Sequence, residues 1–367
     1  MVQIRPRNRV EFPYQEFVER EGLPVVRADV GVDDVTQLPR ADWPRTGGRG
    51  TYIELTGTFE AERGIYVCEI PGAGALEPER HLYEEEIFVL AGRGAAEVWS
   101  GSGEKQRFEW GEGSIFAFPR NAWHRLYNTT REPAILLGVT TAPAVLNRLD
   151  DPEFVFNCDY PFDELTAEYF HAPDERTVEG WYEQTIWHTN FIANARTAIV
   201  DPLKQKVAGG GLTGYRMGRR FPHGHISQWP PGRYHKAHYH GPGAILLGLD
   251  GEGYVLAWPS TLGPHPFEDG HGDQVRRVNW GKHSIYSPPN AWFHQHFNSG
   301  PVPARHVAVY GPRLPLGVHG LEEEQGWKGF KSIREGGTLI EYADEDPHIR
   351  ADFERTLASK GIRSEMG

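Results

Sequence analysis

The chain contains itself twice. "RHLYEEEIFVLAGRGAAEVW" (80–99) lies over "YHGPGAILLGLDGEGYVLAW" (239–258), matching His81 to His240, Gly92 to Gly251, Gly94 to Gly253 and Trp99 to Trp258 at one offset of 159. "WGEGSIFAFPRNAWHRLYN" (110–128) lies over "WGKHSIYSPPNAWFHQHFN" (280–298), matching Trp110 to Trp280, Ser114 to Ser284, His124 to His294 and Asn128 to Asn298 at an offset of 170. The difference of eleven is a longer loop in the second copy, around 261–274. Two anchored blocks in the same order mark a tandem duplication, so the chain must fold as two similar units.

Each copy reads as antiparallel β. "EIFVLAG" and "AILLGLDG" are short apolar runs that end in glycine, while "RGIYVCEIPG" and "GHISQWPPG" end in proline-glycine turns. With 43 Gly and 28 Pro among 367 residues, many short strands are favoured over long helices. An all-β sandwich or barrel is therefore expected in each half. The divisions expected are an N-terminal arm (1–50), a first barrel (51–145), a connector (146–204), a second barrel (205–315) and a C-terminal segment (316–367). The connector reads as irregular or partly helical. "DPHIRADFERTLASKGI", near the C-terminus, has a helix start, helical spacing and a glycine stop.

A formal net charge of −12 without a basic cluster argues against nucleic acid or an anionic membrane as partner. No run approaches the length of a membrane span, and the first residues lack the apolar core of a signal peptide. Cys68 and Cys158 are the only cysteines, too few for a disulfide framework, which fits a cytoplasmic protein. No Ser-His-Asp order, phosphate-binding loop or dinucleotide fingerprint is present.

The quoted motifs resemble the cupin superfamily, and the doubling resembles bicupins. The second copy supplies Gly232, His238-Tyr239-His240, Gly251, Pro289, His294 and Asn298; the first supplies His81, Glu85, Gly92, Gly113, Pro119, His124 and Asn128. The resemblance covers roughly 50–145 and 205–315, and it implies two small tandem jelly-roll barrels. Two departures stand out. Ala244 occupies the motif glutamate's place in the second copy, and Glu79 occupies the leading histidine's place in the first. Neither copy therefore carries the family's three-histidine, one-glutamate set.

His238 and His240, two residues apart, would share one face of a strand and converge on one ion. His294, about fifty-five residues on, would complete a three-imidazole set for Fe(II), Mn, Ni, Cu or Zn, with Fe(II) the first choice. His296 shares the face of His294, as a fourth ligand or an acid-base group. His235 has the opposite parity and is expected outside the site; His223 and His225 read as strand-edge residues. The first copy offers Glu79, His81, Glu85 and His124, but with Glu79 in an acidic patch the first barrel is expected to have lost its metal. Trp229, Trp258, Trp292, Phe293 and Phe297 read either as an apolar pocket wall or as core. Arg233 and Arg305 read either as clamps for a carboxylate or as exposed ion-pairing residues.

Three histidines leave a divalent ion with its full charge and with open positions for a chelating anion and O2. That pattern is similar to gentisate-type ring-cleaving dioxygenases, so the resemblance implies a non-haem Fe(II) dioxygenase acting on a small aromatic or enolic anion, in a homo-oligomer. The alternatives are a metal-dependent isomerase or decarboxylase, with His296 as proton carrier, and a non-catalytic binder of small ligands.

Overall fold

The computed structural model describes residues 12–101, 103–171, 175–179, 184–202, 207–218, 222–241, 244–310 and 331–366. Residues 1–11 of the arm, and 311–330 where the second barrel passes into the C-terminal segment, lie outside the described residues. Two all-β barrels stand in tandem, each built from an eight-stranded and a three-stranded sheet. In the first, Gly64–Ile70, Ala134–Thr140, Glu85–Ala91 and Ile115–Ala117 run side by side, opposite a sheet ordered Trp123–Asn128, Arg93–Trp99, Gln106–Gly111. In the second the same order returns: His223–Trp229, Ala304–Tyr310, Ile245–Asp250 and Ile285–Tyr286, opposite Trp292–Asn298, Gly253–Pro259 and Arg276–Trp280. The duplication read from the sequence is thus a duplication of topology.

Gly92 and Gly251 show why the repeat keeps its glycines. Each follows an inner strand at φ 89° and 84°, where a side chain is strained, and each lies against the strand opposite. A Cβ there would stand 2.7 Å from the Ala134 side chain or 2.9 Å from the Ala304 Cα.

Strands also occur where the sequence pattern announced none. The arm carries Val25–Ala28, Gly31–Val32 and Ala41–Trp43, and the connector carries Glu175–Glu179, Gln184–His188 and Phe191–Ile192. These runs were hidden because they are short and lack clean alternation. Two of them change barrels: Gly31–Val32 pairs with Tyr286 and Ile285 of the second barrel, and Phe191–Ile192 pairs with Phe116 and Ile115 of the first. Each leading segment therefore lends a strand to the opposite barrel. A shared core seals the seam, in which Ile53, Phe88, Ile115 and Leu137 pack with Ile226, Ile245, Leu247 and Val307.

The C-terminal helix Pro347–Ser359 forms where the sequence placed it, capped by the Asp346 carboxylate, which accepts from the His348 N–H. Its buried Ile349, Phe353 and Leu357 cover the outside of the second barrel against Tyr234, Tyr254 and Phe297. Among the described residues no helix is long and apolar enough to cross a membrane.

Candidate metal centres

Parity decides what each barrel presents to its interior. Along Trp292–Asn298, Phe293 and Phe297 join the outer cluster, while His294 and His296 face inward. Opposite them, residues 231–241 hold only isolated bridges, from Tyr234 to Phe297 and from His238 to His294 and Leu339, and form no regular strand. His238 and His240 therefore converge by the path of a loop and not by strand parity, and the parity argument placing His235 outside also fails. His235 is buried, with its ring 4.5 Å from Trp229 and 5.3 Å from His296.

His238, His240 and His294 bring one ligand atom each to within 4.8 Å of one another. Their Nδ1 atoms lie 3.2, 2.9 and 3.0 Å from the carbonyl oxygens of Lys236, Gly241 and Trp292. A carbonyl only accepts, so each Nδ1 carries the hydrogen and each Nε2 keeps its lone pair. The backbone thus sets all three rings in the tautomer that a metal ion requires.

The first barrel closes a triad of the same tightness from His81, Glu85 and His124. His81 and His124 are set alike, their Nδ1 atoms donating to Tyr83 and Ala122 carbonyls at 2.8 and 3.1 Å. Glu85 Oε2 lies 3.4 Å from His81 Nε2 and 3.9 Å from His124 Nε2, and the Tyr66 hydroxyl donates to its Oε1 at 2.8 Å. Burial would raise the Glu85 carboxyl, but the adjacent imidazoles and the Tyr66 hydroxyl hold it below its ordinary range. Glu79 bridges His124 as His238 bridges His294, so it stands in the lost histidine's place. Its carboxylate is drawn to Arg45, leaving Oε1 4.0 Å from His124 Nε2. The sequence favoured a metal-free first barrel, yet the loss of the leading histidine leaves the other three residues converged.

Both sets suit a metal ion. In the first barrel the Nε2 atoms of His81 and His124 are buried without a hydrogen-bond partner, a cost of about 1–3 kcal/mol each that a bound ion would remove. Two imidazoles with one carboxylate, or three imidazoles, admit Fe(II), Mn, Ni, Cu or Zn. Each barrel keeps three of the four family positions, and the two lack different ones. A small cleft beside the first triad is lined by Arg45, Tyr52, Tyr66, Tyr83, Glu79 and Glu85, among others.

Residues 66–140 match the family model of the cupin domain. The first barrel is a cupin domain. Its strand order recurs in the second barrel, so the fold is that of two similar barrels in tandem. No curated protein matches it. Among solved structures, a two-residue deletion mutant of Bacillus subtilis oxalate decarboxylase is similar at 14% identity, covering 78% of this chain and 77% of that one with a TM-score of 0.48. A tryptophan-to-tyrosine variant of the same enzyme gives 14%, 78% of each chain and 0.48. Likeness this remote says nothing about the reaction.

The other site residues expected from the sequence are scattered. His296 lies beside the triad, its ring centre 5.5 Å from that of His294 and 6.3 Å from that of His238. Arg305 points to the other face of its strand, where it donates to Ala195 O and Gln228 Oε1 at 2.8 and 2.7 Å and to Ala198 O. It ties the connector to the second barrel and is not brought to the triad. Arg233 is half-buried, and its charge acts on Tyr342 in the C-terminal segment. Trp258, Phe293 and Phe297 are core beneath the helix, whereas Trp229 lies inside the barrel.

Tyr286, His306 and Tyr310 escaped the sequence reading, and His225 was misplaced by it. Tyr286 bridges two imidazoles, with its hydroxyl 3.0 Å from His296 Nδ1 and 2.8 Å from His306 Nδ1. The Tyr310 hydroxyl lies 2.7 Å from His225 Nδ1, and its ring is 6.5 Å from His240. His225 is on a strand flanked by two others, so it is not an edge residue. The signal was present in "ARHVAVY" (304–310), whose alternate residues Ala304, His306, Ala308 and Tyr310 share one face.

Proposed function

We propose that this chain is a tandem cupin, a metal-dependent enzyme that moves a proton to or from a small carboxylate or enolate bound beside His238, His240 and His294, in an isomerisation or a decarboxylation. The observation carrying this reading is the hydrogen-bonded line from His306 through Tyr286 to His296, which ends beside the triad. A bound divalent ion supplies undiminished positive charge, because three neutral histidines hold it, and so draws and polarises an anionic oxygen. His296 then stands as the proton donor beside the bound anion. His225 and Tyr310 add a polar edge near His240, and Trp229 an apolar wall. The first triad, beside its cleft, holds a second ion.

One feature favours a second reading, an Fe(II) dioxygenase acting on a small aromatic or enolic anion. Ala244 replaces the carboxylate, which leaves the ion more open positions for substrate and O2. Metal-loaded protein incubated in D2O with small keto acids, dicarboxylates, hydroxybenzoates and 1,3-diketones separates the two. Turnover without O2, with deuterium entering the product, supports proton transfer; turnover that stops without O2 transfers the site to the dioxygenase reading. No turnover with any of them favours a binding protein. The expected homo-oligomer is tested by the mass of the protein in solution.

A further inference from the structure

We propose that Tyr286 and His306 lock His296 in the tautomer opposite to that of the three ligand histidines, so that its Nε2 carries a hydrogen and donates to an anionic oxygen held at the second centre. This rests on the reading of that centre as an anion-binding metal site, and names the residues that set its hydrogen-bond donor.

The tautomer follows from counting hydrogens. The Tyr286 hydroxyl meets His296 Nδ1 at 3.0 Å and His306 Nδ1 at 2.8 Å, and it has one hydrogen to give. It cannot donate to both rings. If both rings donated to it, the phenol O–H would need a third partner inside a fully buried residue. Two arrangements remain. In one, Tyr286 donates to His306, whose hydrogen must then sit on Nε2. In the other, His306 donates to Tyr286 and Tyr286 donates to His296.

The surroundings of His306 decide between them. Its Nε2 is buried and has no hydrogen-bond partner. Its ring stands edge-to-face against Trp229 at 4.8 Å and Trp280 at 4.2 Å. The indole N–H groups of both tryptophans are themselves buried without an acceptor. A hydrogen on His306 Nε2 would put a third unsatisfied donor into this cage, whereas a lone pair there complements the two donors. Buried orphan N–H groups are rarer and costlier than under-used acceptors. His306 also stays neutral, burial having pushed it down to about 3. Its hydrogen therefore lies on Nδ1, the Tyr286 O–H turns to His296 Nδ1, and the hydrogen of neutral His296 lies on Nε2. A ring so set carries no Nε2 lone pair for a metal, which removes His296 as a fourth ligand.

The duplication supplies an independent argument. At the matching positions of the first barrel stand Phe116 for Tyr286, Leu126 for His296, Leu136 for His306 and Leu76 for His235, all within its apolar core. The correspondence holds in the backbone too: Leu76 N donates to Leu126 O as His235 N donates to His296 O. The fold thus packs these four positions with hydrocarbon in one barrel. Burying a phenol and three imidazoles in the other is not required by the architecture.

Histidine-selective 15N labelling and two-bond 1H–15N correlation spectra read each tautomer directly in the metal-free protein. At a pH where the imidazoles are neutral, His296 is expected to show a protonated Nε2, and His238, His240 and His294 a protonated Nδ1. In Tyr286→Phe, which recreates the first barrel's Phe116, His296 is expected to lose that pattern while His81 and His124 keep theirs, showing that the fold is intact. A protonated Nδ1 on His296 in the wild type, or an unchanged pattern in Tyr286→Phe, overturns the proposal. Because no metal is needed, failure of the centre to bind an ion would defeat the functional reading separately.

Discussion

Arg45 holds Glu79 in an ion pair, and Glu79 is the residue standing where the second barrel has His238. The guanidinium also reaches Glu21 at 3.0 Å and lies 4.8 Å over the Phe156 ring. The arm thereby pulls one potential donor out of the first centre. Arg45→Met is expected to free Glu79 towards His124 and tighten metal binding there about tenfold, the scale on which neighbours tune metal sites. The same change should cost about 1–3 kcal/mol of stability through the lost charged hydrogen bonds. Calorimetric metal titration and thermal melts read both; weaker metal binding would show that Glu79 plays no part.

Ala244→Glu supplies the second barrel with the carboxylate that Glu85 provides in the first. Ala244 is buried beside Leu246 and Trp229, so the new side chain can be compensated only by binding. Metal is expected to bind at least as tightly, because a charged donor is added. Turnover should fall, since the ion keeps fewer open positions and less positive charge for an anion. Undiminished turnover with the glutamate bound would mean that substrate does not contact the ion.

Much of this was legible in the primary structure, and the misses have physical causes. The repeat with its motif glycines announced two barrels, because positive φ beside a packed strand admits little else at Gly92 and Gly251. The convergence of His238, His240 and His294 was legible from the motifs, although the strand parity invoked for the first two is not what brings them together. The line through Tyr286 and His306 was not, since a buried polar residue amid hydrophobic ones reads as a strand residue of either face until its neighbours are known. His235 was misplaced because alternation was assumed where the chain forms only isolated bridges. Arg305 looked like an anion clamp, but carbonyls of a connector distant in sequence had claimed it. The exchanged strands of the arm and connector are two residues long, below what periodicity resolves.

Gly31 tests that exchange. A Cβ at this position would stand 2.7 Å from Ile285 O and 2.8 Å from the Tyr286 Cβ. Gly31→Val is expected to destabilise the protein by about 1–3 kcal/mol, as overpacking does. Chemical denaturation measures it; an unchanged midpoint would mean that the arm does not dock on the second barrel in solution.

Glu345 gives stability a pH dependence of known sign. Burial raises its carboxyl above the ordinary 4.5, despite hydrogen bonds from Tyr234 and Gln295. The folded state therefore keeps a proton that the unfolded chain has released, and its contribution weakens as pH rises from about 4.5 through the raised value. The loss is at most about 1.4 kcal/mol per pH unit across that window. Glu345→Gln should remove this slope and stabilise the protein at neutral pH relative to pH 4. A variant whose stability curve runs parallel to that of the wild type would place the ionisable group elsewhere.

Metal content per chain is the most direct measurement of all. The wild-type protein, reconstituted with excess divalent ion and freed of the unbound excess, is expected to hold about two ions by elemental analysis, and His240→Ala and His81→Ala each about one, with the fold intact by circular dichroism. Full retention of metal in both variants would contradict the assignment of the two triads as metal centres.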